Sequence, residues 1–485
     1  MGMGMRQSGL ETSTDRVPVP GASPRAPGAS SPGRSSARTP APAAGRSGYT
    51  RRRFYLPVAL KFMCAVAGAT GWVAFSVWVS QPWVADLTDL VGAVPAWVIV
   101  TLLAYVPGFV VALLAVSLVL DRQPPLRVAQ PTTGVTVIIA ARNEAAGIAD
   151  TIRYVAASDY AGVLRIVLAD NGSTDGTDEV ARVAAEEVGA ELVVVREETP
   201  GKAHALNRAL SLVTTPYVVT VDADTLLHPD ALRRLVSRLE SAPPDTVAVA
   251  GAVLVRNSRA NLLTRMQEWD YYLGIASVKR MQGLFQSTLV AQGAFSLYRT
   301  AELRRVGGWP DAIGEDIVVT WRLMRDGSRV MHEPTAVAFT DVPERLRHLF
   351  RQRARWARGM LEGLTTVPPW RQRRALSGFV AGIDVLIPLL DVGYVLVWLP
   401  GLLLAILGIP AVVGLWTMLV VPVTLVVYGA LRHYQRRRVF GPLGLRVRRN
   451  RRGYLAYLLL YQPIVSAAAL VGYLQECTGS RRRWK

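Results

Sequence analysis

Two apolar runs near the start of the chain, Phe54 to Ser80 and Ala96 to Leu120, each exceed the ~20 residues that a helix needs to cross a bilayer. Nothing else in the sequence narrows the fold so far. Lipid supplies no hydrogen-bond partners, so a crossing backbone must pair its own N–H and C=O groups, as a helix does. The connecting segment, Gln81 to Pro95, carries Asp86 and Asp89 but neither Lys nor Arg, whereas the flanks Arg51 to Arg53 and Arg122 to Arg127 are basic. The positive-inside rule then puts the N-terminus, and everything after Leu120 up to the next span, in the cytoplasm. Three more apolar segments follow: Leu376 to Leu407, Ala411 to Leu431 and Tyr454 to Gln475. Pro388 and Pro400 interrupt the first of them. Asp384 and Asp391 also lie within it, where a carboxylate is expected to face a protein interior or an aqueous path. A shallow start to that segment would instead leave Asp384 near the headgroups. Five spans are expected, two over residues 54–120 and about three over 376–475; Arg481 to Arg483 then stand against the charge rule, either as a short exception or because one C-terminal segment does not cross.

The net charge of +19, from 55 basic and 36 acidic residues, would by itself admit nucleic acid or anionic lipid as a partner. The arginines cluster beside apolar runs, above all over Arg432 to Arg452, a stretch with no acidic residue, so membrane topology accounts for most of the excess. No nucleic-acid motif accompanies them, and membrane lipids rather than nucleic acid are the expected contacts. The two cysteines, Cys64 and Cys477, sit in or beside apolar runs and offer neither a disulfide framework nor zinc-ligand spacing. Residues 1–50 are rich in Pro, Gly, Ser, Ala and Arg, and cannot bury enough surface to offset their ordering entropy. They read as a disordered basic tail, and residues 476–485 as a short basic tail at the other end.

Between about 130 and 342 the pattern changes. Short apolar runs (Val135 to Ala140, Leu164 to Ala169, Leu192 to Val195, Tyr217 to Val221, Val247 to Ala252) alternate with helix-like stretches such as Ala145 to Ala157 and Thr177 to Val188. Such alternation predicts an α/β domain with a mostly parallel sheet flanked by helices. Beyond it, in the region 343–372, Leu346, Leu349, Phe350, Trp356, Met360 and Leu361 recur near helical spacing with arginines on the other face, as in a helix lying in the membrane interface. A surface helix of the soluble domain is the plainer alternative.

Several predicted strands run straight into polar residues. Val135 to Ala140 leads to Ala141-Arg142-Asn143-Glu144, Leu164 to Ala169 to Asp170-Asn171-Gly172-Ser173-Thr174-Asp175, and Tyr217 to Val221 to Asp222-Ala223-Asp224. Taken singly these are turn and cap chemistry. Together they set polar ends along one sheet edge, where open α/β sheets bind ligands. Two carboxylates one residue apart at such an edge suit a divalent cation and a phosphorylated substrate. Pro200-Gly201-Lys202-Ala203 opens a helix and is not a Walker A loop, since Arg196 stands where Gly is required and Ala203 where Ser or Thr is. A lysine at a helix N-terminus still suits a phosphate.

The order Ala-Arg-Asn-Glu, Asp-Asn-Gly-Ser-Thr-Asp, Gly-Lys-Ala-x-Ala-Leu-Asn and Asp-Ala-Asp resembles the family-2 glycosyltransferases with a GT-A fold. The likeness continues through Gly293-Ala294-Phe295, Val306-Gly307-Gly308-Trp309 and Gly314-Glu315-Asp316, which resemble acceptor-side elements. Gln352-Arg353-Ala354-Arg355-Trp356 matches the Gln-x-x-Arg-Trp motif of membrane-embedded processive synthases of cellulose, chitin, hyaluronan and poly-N-acetylglucosamine. The resemblance implies a UDP-sugar donor, with UDP-N-acetylglucosamine the best guess, Mg²⁺ or Mn²⁺, and a polysaccharide acceptor, or alternatively a lipid acceptor glycosylated once. It leaves open a small accessory membrane subunit. Residue by residue, it implies that Asp170 binds uracil with Asn143 and Glu144 lining the nucleoside pocket, and that Asp222 contacts the nucleotide. Asp224 would ligate the metal, Lys202 and Arg355 would neutralise the leaving diphosphate, Asp316 would be the general base, and Gln352 and Trp356 would serve the substrate, the tryptophan by stacking on the acceptor sugar. Interfacial anchoring is the plain alternative for Trp356. Ala140 stands in place of the family's usual Pro, Gly314 in place of its usual Thr, and His204 where a small residue is common.

Overall fold

The computed structural model describes residues 56–414 and 420–480. The expected tail over 1–50, the arginines at 51–53 and those at 481–483 lie outside the described residues.

Eight strands make one sheet: β1 (Val135–Ala141), β2 (Leu164–Asp170), β3 (Leu192–Arg196), β4 (Tyr217–Asp222), β5 (Leu226–Leu227), β6 (Thr246–Val255), β7 (Phe295–Arg299) and β8 (Arg329–Thr340). Their order is β3-β2-β1-β4-β7-β6-β8-β5. The first four are parallel. β7 runs against both β4 and β6, β6 and β8 are parallel again, and β5 closes the far edge antiparallel. The mostly parallel α/β sheet expected from the sequence is therefore present, with β7 reversed at its middle.

The strand faces follow from the period-2 alternation of side chains. Val137 and Ile139 face a core shared with Ile148, Ile152 and Leu235, while Ile138 faces the opposite core with Leu206, Trp309 and Trp321. Both faces are covered, which is why these strands read as unbroken apolar runs. Ala65, Ala69 and Leu113, from two membrane-type helices, belong to the second of those cores. Register decides where the polar ends fall. Ala140 lies opposite Asp222 and Ala141 opposite Asp170, so β1, β2 and β4 finish side by side.

Four helices among the described residues are long and apolar enough to cross a membrane: Val58–Val79, Ala93–Val119, Ala375–Ile406 and Arg451–Cys477. By length and composition they are candidate membrane spans. The expected span Ala411 to Leu431 falls partly on residues outside the described ones; its described residues 411–414 form a turn, and those from 420 on belong to a 16-residue helix, Val420–Gln435. The prolines do not end the third helix. Its turn over Tyr394–Trp398 widens to π geometry, and Pro400 stands two residues further on. Pro107, Pro442 and Pro463 likewise stand two residues after the π turns Thr101–Tyr105, Arg436–Phe440 and Tyr457–Tyr461. A proline lacks the N–H of the α-helical ladder and crowds the carbonyl four residues back, and a wider turn there relieves both. Asp391 faces protein, as expected, and accepts hydrogen bonds from Ser466 (2.6 Å) and Tyr473 (2.8 Å) of the last span.

The amphipathic segment forms a 21-residue helix, Leu346–Thr366. It packs against the last span, where Ala357 shares a buried cluster with Ala469 and Tyr473. The arginines do not all take the outer face. Arg353 and Arg358 are buried, and Arg358 pairs with Glu476 of the last span at 2.6 Å, whereas Leu346 and Trp356 are exposed. Burial of these arginines is made tolerable by ion-pair partners that lie far along the chain.

Candidate active site

The loops after β1 and β2 are braced to each other. The amides of Asn143, Glu144 and Ala145 donate to Ser173 Oγ (3.0 Å), Thr177 Oγ1 (2.9 Å) and Asp175 Oδ2 (3.0 Å). Asn143 Oδ1 returns the contact by accepting from the Thr174 amide at 2.9 Å, and its backbone takes φ 58°, in the left-handed region that Asn tolerates better than most residues. Asn171 extends the brace. Its amide nitrogen donates to the carbonyls of Glu197 (3.1 Å) and Thr199 (2.7 Å), and its oxygen accepts from Gly201 N–H at 2.8 Å. Gly201 has φ 144°, and a Cβ there would meet the His204 ring at 2.9 Å, so the turn into the helix Lys202–Leu210 requires glycine. His204 itself lies against Gly201, with Nε2 3.9 Å from Asp311.

These loops open on a cleft of about 790 Å³. Asn143, Glu144, Lys202, Asp222, Asp224, Asp316, Gln352, Arg355 and Trp356 all line it. Nine of the ten residues singled out from the sequence are thus brought together. The tenth, Asp170, does not line the cleft; it is 2% exposed and its Oδ1 accepts from the Ser173 amide at 3.0 Å, which shapes the turn. Its neighbour Asn171 reaches the cleft in its stead. Val306 to Trp309 also lies apart from it: Asn207 clasps Trp309 through its amide nitrogen and carbonyl (2.7 and 2.9 Å), and Trp309 is buried edge-on to Tyr298.

Acidic groups crowd one end. Burial, with Asp224 and Asp222 nearby, raises the Glu144 carboxyl to about 7. Burial and Asp222 raise that of Asp224 to about 6, against a hydrogen bond from Thr340 at 3.0 Å. Lys202 ties this group to the next, lying 2.5 Å from Asp222 and 3.9 Å from Glu315. Burial would depress the lysine, but the two carboxylates outweigh it and hold its pKa up. Asp316 sits at a helix start, where its Oδ1 accepts from the Ile317 amide (2.9 Å) and its Oδ2 from Gly293 N–H (3.4 Å). No group of three or more His, Cys, Asp or Glu side chains among the described residues is placed to hold a metal ion.

The helix Leu346–Thr366 supplies the other lip. It crosses the Gly314-Glu315-Asp316 turn at Gly359, so closely that a Cβ on Gly314 would lie 2.8 Å from Gly359 Cα. Glu362 fastens the crossing by accepting from the amides of Ile313 (2.8 Å) and Gly314 (3.3 Å). Glycine at 314, where a threonine was the usual residue, lets this helix approach. Arg353 stacks on Trp356, its guanidinium carbon 4.1 Å from the ring centroid. It is held there by Asp270 (2.9 Å) and Tyr461 Oη (2.8 Å).

Comparison with known proteins agrees with this geometry. Residues 131–359 match the family described as glycosyltransferase like family 2. Over 241 residues the chain is 34% identical to the poly-beta-1,6-N-acetyl-D-glucosamine synthase of Staphylococcus aureus strain COL, covering 50% of this chain and 57% of that one. To the Staphylococcus epidermidis synthase of the same name it is 32% identical over 231 residues, or 47% of this chain and 55% of that one. The region 131–359 is a family-2 glycosyltransferase domain. The matched segment spans little more than half the length of these curated relatives. Among solved structures, the mannosyltransferase PcManGT from Pyrobaculum calidifontis, in complex with GDP-Man and Mn²⁺, aligns with TM-score 0.51 and 20% identity over 88% of this chain and all of its own. That likeness establishes the GT-A fold of the glycosyltransferase domain.

Sequence reasoning missed four residues at or around this site. Lys279 lines the cleft from the helix Ala276–Leu284, a segment that carried no motif. Arg353 was read only as a variable position within Gln-x-x-Arg-Trp. Its anchors Asp270 and Tyr461 had no local signal, since they meet it only in the folded chain.

Proposed function

We propose that the protein is a membrane-bound inverting glycosyltransferase that moves a sugar from a UDP-sugar, UDP-N-acetylglucosamine, onto a growing β-linked polysaccharide at the cytoplasmic side of the membrane. The observation that carries this reading is the meeting of Asp222, Asp224, Asp316 and Gln352 to Trp356 around one cleft in a chain whose relatives include poly-beta-1,6-N-acetyl-D-glucosamine synthases. Charge bias of the loops supports the cytoplasmic side.

In this reading Asp316 takes the proton of the attacking hydroxyl. Its carboxylate is oriented by two backbone amides, as a general base must be. Lys202 and Arg355 balance the charge that develops on the leaving diphosphate. Trp356 offers a flat face to the acceptor ring, and Gln352, whose buried Oε1 has no hydrogen-bond partner, offers an acceptor to a bound hydroxyl. Asn143, Glu144 and Asn171 flank the nucleoside, while Asp170 acts from behind by fixing their loop. A divalent cation fits the acidic end: Asp224 would hold it, beside Asp222, and the cation would offset the burial and the neighbouring Asp222 charge that raise the Asp224 carboxyl. With few protein ligands at hand, its other ligands would be diphosphate oxygens and water. When bound it would supply charge stabilisation for the departing diphosphate.

The test is UDP release by the purified chain in detergent across a panel of UDP-sugars, with Mg²⁺ or Mn²⁺ and product sizing. A long, metal-dependent product from one sugar supports the reading. A single-addition product would replace polymerisation by one transfer to a lipid, and no turnover with any sugar would count against the reading as a whole.

A further inference from the structure

One charged side chain in the cleft has no part in the mechanism above. Lys279 follows the π turn Asp270–Ile275 on the helix Ala276–Leu284. The next residue, Arg280, is locked in a buried ion pair with Asp121 at 2.7 Å, at the end of the second span, and stacks on Tyr434 at 4.1 Å. That knot fixes the helix between membrane segment and sheet, and Lys279 faces the cleft.

Its ammonium donates to the Val290 carbonyl at 2.7 Å and to Gln292 Oε1. Gln292 is held in turn, because its own amide donates to the carbonyls of Gly251 (2.7 Å) and Phe295 (3.2 Å), which leaves its oxygen facing the lysine. The adjacent residue, Gly293, donates to Asp316 Oδ2. Lys279 and Asp316 therefore share one wall of the cleft. An ammonium carries three N–H donors, and two are taken. Among the described residues the lysine has no ion-pair partner within 4.0 Å, and burial draws its pKa down to about 7, opposed by the charge of Asp316. A part-buried cation without a counter-ion is costly to maintain, and Lys279 lines the same cleft as Asp316 with one donor not taken by Val290 or Gln292.

We propose that Lys279 is a substrate-contacting residue that donates its third N–H to a hydroxyl or carbonyl oxygen of the acceptor sugar and so sets the attacking hydroxyl beside Asp316. This rests on the transferase reading given above. Lys202 and Arg355 already serve the diphosphate there, so Lys279 is assigned to the acceptor rather than to the donor.

The experiment uses the full chain in detergent, with UDP affinity by calorimetry, then sugar transfer to a short N-acetylglucosamine oligosaccharide. For Lys279→Met, loss of a charged hydrogen bond predicts a fall in kcat over acceptor KM of about tenfold or more, with UDP affinity within about twofold of wild type. Lys279→Gln keeps a donor toward Val290 and carries the same expectation should the methionine variant fail to fold. Transfer within about twofold of wild type in a folded variant overturns the proposal. So does a parallel loss of UDP affinity, which would move Lys279 to the diphosphate. Failure of the underlying reading is distinguishable, because the wild-type chain would then transfer no sugar before any variant is compared.

Discussion

The two lips of the cleft are built by different means. Asn143, Glu144, Asn171, Asp222 and Asp224 sit at the ends of β1, β2 and β4, and Lys202 opens the helix that follows β3. Their places are set by sheet register and by hydrogen bonds between neighbouring loops. Gln352, Arg355 and Trp356 stand on a helix positioned by remote partners: Asp270, Tyr461 and Glu476, with Glu362 on the Ile313 and Gly314 amides. Two of those partners, Tyr461 and Glu476, belong to the last membrane span. The strand-end lip is thus an internal property of the domain, while the helical lip is tied to the membrane region. A binding step that uses the first should tolerate those changes at the second that leave Arg355 in place.

The largest expected effect lies where the lips meet. Asp316→Asn should lower turnover by roughly 10²–10⁴-fold, as loss of a general base does, while UDP affinity measured by calorimetry stays near wild type. Equal loss of UDP binding would show that the turn serves the donor as well. Next comes the strand-end lip. Asp224→Asn should cost about 10²-fold in turnover through the lost cation site, and should abolish the dependence of UDP affinity on Mg²⁺ or Mn²⁺. Metal dependence that survives would place the cation elsewhere.

A smaller effect sharpens the contrast. Arg353→Lys keeps a charge near Asp270 but loses the planar stack on Trp356 and should raise acceptor KM by about tenfold, in keeping with a partly desolvated cation–π contact. UDP affinity should hold within about twofold. A matched fall in both would dissolve the distinction between the lips. The smallest concerns Glu315, which is 5% exposed and whose carboxyl is raised to about 7 by burial, with Asp316 adding to it. A carboxyl raised on folding contributes stability in full below its unfolded value of about 4.3 and loses it as pH rises through the folded value. The thermal midpoint in detergent should therefore fall between about pH 5 and 8, and Glu315→Gln should remove part of that fall, on the order of 1 kcal/mol. An unchanged slope would mean that Lys202 keeps Glu315 ionised throughout.

Much of this was legible in the sequence. Long apolar runs fixed the membrane-type helices, because crossing lipid demands a continuous hydrophobic length that no distant contact can supply. Apolar runs ending in polar residues located β1, β2 and β4 and the edge that carries Asn143, Glu144, Asp222 and Asp224, because side-chain period and strand burial are local. The ordered motif series then named the domain. What only the tertiary structure decided depends on residues far apart in the chain. Asp170 turned out to support its loop from beneath, since register buries it next to Ala141. Arg353 and Arg358 turned inward because Asp270, Tyr461 and Glu476 wait there. Gly314 gained its reason only when Gly359 came to lie against it. Lys279 entered the cleft only through the fold that seats its helix between Asp121 and the sheet. Buried charges and close backbone crossings are settled by the partner, and a partner well removed along the chain leaves no mark on the local pattern.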